Sequence, residues 1–158
     1  MQSVVKPMLL ASALVISSLA SAKSIDLSFD LPDLDVERYV NPYVAIWAEQ
    51  GGESKPLLVW HLKDKAEDRW LPDIKRWWRK IGRYDNQADG LTGATKGPGS
   101  YKQTLDVGDF TEFTLYFEVV REKGGRSLVK TDINLNDDTF TYTIDQSDEI
   151  GQITIQTQ

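Results

Sequence analysis

The chain contains no cysteine and only one histidine, His61. Without thiolates it can form no disulfide, no zinc–cysteine centre and no iron–sulfur cluster. A single histidine excludes bis-histidine haem ligation and makes any Ser-His-Asp triad depend on His61 alone. No Gly-x-Ser-x-Gly element is present to supply a nucleophile. His61 therefore reads as a half-buried packing residue at the end of an apolar strand. An excess of positive charge is also missing: 18 Lys and Arg stand against 24 Asp and Glu, a net charge of −6. That balance suits nucleic acid poorly. The acidic runs "DLPDLD" and "NLNDD" lack the spaced ligands and bidentate glutamate of a calcium loop, so they read as turns and solvated faces.

Long apolar runs are absent except at the start. "MQSVVKPMLLASALVISSLASA" carries one positive charge, Lys6, then an apolar stretch from Met8 to about Leu19, and closes on Ala20-Ser21-Ala22. This is the pattern of a secretory signal peptide over residues 1–22, with an expected cut before Lys23. The stretch is too short for a stable membrane anchor. No cysteine follows the cut, so no lipid anchor is expected. The expected mature chain is a single exported domain, residues 23–158, in the periplasm. Loss of Lys6 takes its net charge from −6 to about −7.

What is present is strand patterning. "SIDLSFDL" alternates, with Ile25, Leu27 and Phe29 on one face. "YVAIWAE" and "KPLLVWHL" flank Gly51-Gly52 and read as a hairpin. "TEFTLYFEVVRE" and "RSLVKTDINL" flank a second pair, Gly124-Gly125. "DTFTYTID" and "IGQITIQT" complete about seven short strands. The expected fold is mainly β: an immunoglobulin-like antiparallel sandwich with Greek-key-like connections. A short amphipathic helix and a loop are inserted between its halves.

The helix is expected over about Pro72 to Ile81 of "WLPDIKRWWRKIGR". Leu71, Ile74, Trp77, Trp78 and Ile81 recur at helical spacing, Pro72 and Asp73 suit a first turn, and Gly82 suits a stop. Lys75, Arg76, Arg79, Lys80 and Arg83 concentrate positive charge in an acidic protein. One reading is an ordinary amphipathic helix with tryptophans in the core and charges in water. The other is an anion-binding surface, a docking patch, or a stacking wall for a planar ligand built from Trp77 and Trp78.

"DGLTGATKGPGS", Asp89 to Ser100, follows the helix. Its glycines and Pro98 are ordinary loop punctuation. Its first seven residues, however, resemble the motif Asp-x-x-Ser/Thr-Gly-Ala-Thr that an FAD-dependent flavin transferase modifies on exported proteins. By that resemblance the acceptor is Thr95, which would carry FMN through a phosphoester. Asp89, Gly90, Thr92, Gly93 and Ala94 fill the rest of the site, and Trp77, Trp78, Arg79 and Arg83 are candidates to flank the flavin. Small residues at 93 and 94 suit a segment that must enter another enzyme's active site. The segments "LPDLDVERYVNPYVAIWAE", "RWLPDIKRWWRK", "DGLTGATKGPGSY" and "EIGQITIQ" are similar to a family of small predicted periplasmic proteins, DUF2271. That resemblance implies a flavinylated electron-transfer protein rather than a catalyst, with a PepSY-type membrane protein as redox partner. The competing expectation is a binding or docking module without flavin, in which the loop only connects.

Overall fold

A computed structural model of the chain describes residues 23–62, 71–84, 92–136 and 139–157. The signal-peptide segment, Asp89 and Gly90 lie outside the described residues. Alternation of apolar and polar side chains produces most of the strands. In β1 (Lys23–Leu31) the odd-numbered residues from Ile25 to Leu31 are buried and the even ones are not. The described strands that follow are β2 (Tyr43–Gln50), β3 (Glu53–His61), β4 (Thr92–Ala94), β5 (Gly99–Gly108), β6 (Glu112–Val120), β7 (Arg126–Asn134), β8 (Thr141–Ile144) and β9 (Ile153–Thr157).

These strands make two sheets, one in the order β5-β1-β9-β8 and the other β4-β3-β2-β6-β7. Every pair is antiparallel except β3 with β4, which is parallel. The expected sandwich, with helix and loop between its halves, is therefore observed, with two more strands than the sequence reading assigned. The main core lies between the sheets, where Ile25, Leu27 and Phe29 meet Ile46, Leu115 and Phe117. Each such side chain contributes about 1.5–3 kcal/mol when fully buried.

The five-stranded sheet is covered on its outer face as well. β2 is buried on both sides: Val44, Ile46 and Ala48 face the main core, while Tyr43, Ala45 and Trp47 face a second cluster. That cluster is closed by Leu71, Ile74, Trp77 and Ile81 from the amphipathic segment. The segment is not one regular helix. A 3₁₀ turn closes with Ile74 N donating to Leu71 O (3.1 Å). α1 (Lys75–Trp77) begins with Trp78 N to Ile74 O (2.8 Å), and a π-helical turn, Trp78–Gly82, ends with Arg83 N to Trp78 O (3.1 Å). Trp77 and Ile81, four residues apart and so on one face, both reach the sheet. Gly82 fits because a Cβ there would run into the Trp77 ring.

Asp73 does not cap this segment. The acceptor is Glu118 of β6, a fully buried carboxylate that takes Arg76 N at 3.0 Å, Trp77 N at 2.8 Å and Arg126 Nε at 2.8 Å. Donors that a helix start leaves orphaned are thus satisfied from across the fold. Of the two glycine pairs, Gly51-Gly52 forms the expected two-residue hairpin turn, with φ of 59° and 90°. In the second hairpin the left-handed residue is Lys123 instead. Gly125 is there because Glu149 occupies the place of a Cβ and accepts its N–H at 2.9 Å.

Candidate functional site

The chain leaves β3 at His61, and its amphipathic segment packs on the outer face of the sheet. It then returns beside β3 as β4, running in the same direction. A crossover of this kind is what parallel neighbours require. Thr92 and two residues of low strand propensity, Gly93 and Ala94, are thereby paired with Val59, Trp60 and His61. Thr95 is the first residue past that edge strand. It is half-buried, between exposed Ala94 and exposed Lys96.

The floor of this segment is aromatic and comes from three strands. Trp60 of β3 lies 5.5 Å from Phe29 of β1 and 5.2 Å, edge to face, from Tyr101 of β5, between ring centroids. The trio closes the edge of the sandwich where the chain crosses from one sheet to the other. Gly93 sits directly against the indole: a Cβ would lie 2.9 Å from Trp60 Cδ1 and 3.1 Å from Nε1. The motif glycine is therefore required by packing as well as by any need for a slender acceptor.

Two contacts hold the segment after Thr95 down on this floor. Lys96 Nζ stands 4.6 Å from the centroid of Trp60 and 5.2 Å from that of Tyr101, a cation placed over two ring faces. The Tyr101 hydroxyl donates to Gly97 O at 2.6 Å. Gly99, with φ of 149°, then turns the chain into β5 in a conformation that side chains rarely adopt. Sequence reading missed Trp60, Tyr101, Phe29 and Lys96. Only Lys96, next to the acceptor, carried a local signal.

The helical candidates separate. Trp77 is 2 % exposed and lies within the outer cluster, so its ring is spent on the core. Trp78 is half-buried, 6.4 Å from Trp77, while Arg79 and Arg83 are exposed. Arg83 lies over the Tyr84 ring at 4.8 Å. Val59 links the two parts: its side chain belongs to the helix-covered cluster and its backbone pairs with Thr92. His61 is half-buried opposite Ala94.

Among the described residues, no group of three or more His, Asp or Glu side chains is arranged to hold a metal ion. No helix among them is long and apolar enough to cross a membrane. No curated protein and no solved structure matches the chain at a significant level. One family does, over residues 24–152, from β1 to the threshold of β9, and its description is that of a predicted periplasmic protein. The chain belongs to that family, DUF2271.

Proposed function

We propose that this periplasmic protein is an electron carrier that holds FMN covalently through a phosphoester to Thr95. The observation that carries the reading is the motif "DGLTGAT" ending where the chain leaves the sheet. Its glycine packs on Trp60, and its last hydroxyl residue stands past the final paired position. The residues present suit the group. Thr95 keeps exposed surface, Ala94 before it is small, and Lys96 after it brings a cation that can turn toward a phosphodiester.

In the transfer, the Thr95 Oγ1 forms a bond to the FMN phosphorus of FAD. The bond from that phosphorus to the oxygen bridging to AMP breaks. AMP leaves, and the hydroxyl proton passes to a base of the transferase. Flavin, once bound, supplies reversible electron transfer, and the protein supplies orientation and electrostatics. Gly93 and Trp60 fix where the tether starts. Lys96 balances the phosphodiester charge, and Arg79 and Arg83 add positive potential from the helix side. Asp89, Gly90 and Thr92 complete the motif that the transferase reads. Trp78 keeps exposed surface that a planar ligand can meet, whereas Trp77 is buried. A PepSY-type membrane protein is the proposed redox partner.

The test is the intact mass of protein exported in cells that also make the flavin transferase, read after denaturation. The expected result is a gain of one esterified FMN on the peptide holding Thr95, lost in a folded Thr95→Ala variant. An unmodified wild-type mass, with the transferase shown active on another acceptor, overturns the reading in favour of a binding module.

A further inference from the structure

The cations of the helical segment are not alone on their face of the molecule. The pairings Val120↔Arg126, Glu118↔Leu128 and Tyr116↔Lys130 put residues 126, 128 and 130 of β7 on the same side as Tyr116 and Glu118, because paired residues in a ladder share a face. That is the side the helix covers. The contacts agree: Arg76 donates to the Tyr116 hydroxyl (3.4 Å), Lys130 Nζ lies 5.9 Å from the Tyr116 ring, and Arg126 binds Glu118. Chain segments about fifty residues apart thus build one basic face. Lys75, Arg79, Lys80, Arg83, Arg126 and Lys130 are all exposed on it.

The acidic groups do not cancel it. No carboxylate occurs between Ile74 and Tyr84. Glu118 is buried on its internal donors, and Glu49 is held by Trp47 Nε1 (2.9 Å), Arg76 and Lys80. Of the acids on this face of β6 and β7, Asp132 lies one same-face step beyond Lys130 and accepts from the Thr114 hydroxyl (2.6 Å), and Glu112 lies further along, bonded to Asn136. The net negative charge resides mainly elsewhere. Two packed sheets are about 10 Å apart, more than the Debye length of about 8 Å at physiological salt. A surface approaching the basic face therefore meets its cations and little of the remaining negative charge. Large apolar side chains are exposed beside them: Leu128, between Arg126 and Lys130 on the strand, at 37 %, and Tyr84 at 75 %.

We infer that this face rests on an anionic phospholipid surface. Spread cations on long stems, with an aliphatic and an aromatic side chain among them, match the headgroup region of a bilayer better than a single convergent anion. The inference does not depend on flavin at Thr95.

The experiment is co-sedimentation of the mature protein with vesicles of 30 % phosphatidylglycerol in phosphatidylcholine, against phosphatidylcholine alone. Binding is expected only to the anionic vesicles, weakening as salt rises. Arg79→Gln and Lys130→Gln should each lower the partition about fivefold, with Lys102→Gln on the other sheet as an unaffected control. A folded Arg79→Gln/Lys130→Gln double variant that sediments like wild type overturns the proposal. So does equal behaviour on the two vesicle types. Retention on immobilised polyglutamate with no vesicle binding overturns it too, and assigns the face to an acidic protein.

Discussion

Substituting Gly93 by alanine adds one methyl group at the point where β4 meets Trp60. That methyl would lie 2.9 Å from Trp60 Cδ1 and 3.1 Å from Nε1, against about 3.5–4.0 Å for a relaxed contact. The shortfall must be taken up by the ring or by the strand. The ring has little room: Trp60 is 3 % exposed, with Phe29 and Tyr101 beside it and the Lys96 ammonium over it. Overpacking of this kind costs about 1–3 kcal/mol. That corresponds to a fall of roughly 3–10 °C in melting temperature for a domain of this length. If the strand gives instead, three pairings are lost at the sheet edge and the global loss is smaller. The amides of Thr92–Ala94 then exchange faster than in wild type. Thermal unfolding and hydrogen exchange together cover both responses. In a Trp60→Leu background the penalty for Gly93→Ala should shrink, since the two side chains share one space. A Gly93→Ala protein with wild-type melting and wild-type exchange at residues 92–94 would refute the packing argument.

Glu118→Ala removes the acceptor of Arg76 N, Trp77 N and Arg126 Nε; with two backbone donors left unsatisfied it should cost about 2–5 kcal/mol, seen as a lower urea midpoint and early exposure of tryptophan fluorescence. Arg126 is partly exposed, so most of that loss comes from the buried backbone donors. Tyr39 is held above its ordinary value of 10.0, first by burial and against the opposing pull of Arg121. The folded state therefore keeps that proton longer than the unfolded chain; stability is intact below pH 10 and falls as pH rises through the folded value. Tyr39→Phe should remove a tyrosinate step that titrates above the ordinary value and flatten the alkaline loss of stability; absorbance lost only in the ordinary tyrosine range would contradict this. Lys96→Gln should cost about 0.5–1 kcal/mol and shift the emission of Trp60, while Lys96→Arg should retain most of both.

The strands were legible wherever burial is one-sided. Ile25, Leu27 and Phe29, and Phe113, Leu115 and Phe117, alternate and face the main core as their spacing requires. β5 has a weaker signature: Tyr101, Leu105 and Val107 alternate, but only the last two are buried and Gln103 interrupts the apolar side. β4 could not be read from its residues. Thr92-Gly93-Ala94 pairs only because the crossover delivers it to β3, and parallel pairing has no local signature. The apolar spacing of Leu71 to Ile81 marked the buried face of the helix, but not the π turn within it. For the same reason Glu118 gave no sign of its capping role: its donors lie about 42 residues away in sequence. At the candidate site the acceptor motif was visible as a string of residues. Its floor was not, since Phe29, Trp60 and Tyr101 come from three strands of two sheets.

The brevity of β4 also bears on how copies of the protein meet one another. A sheet edge with open N–H and C=O groups is a template for a strand from a neighbouring molecule. β4 covers β3 only along Val59–His61. Over Glu53–Leu58 no described strand pairs on that side, and there the sequence itself discourages addition: Pro56 has no N–H to give, and Lys55 and Glu53 place charge on the border. The last three residues of β3 have no such protection of their own, being Val59, Trp60 and His61. Thr92-Gly93-Ala94 is their cover. A variant that releases it would expose an apolar strand end, and its first symptom in concentrated solution should be self-association rather than unfolding.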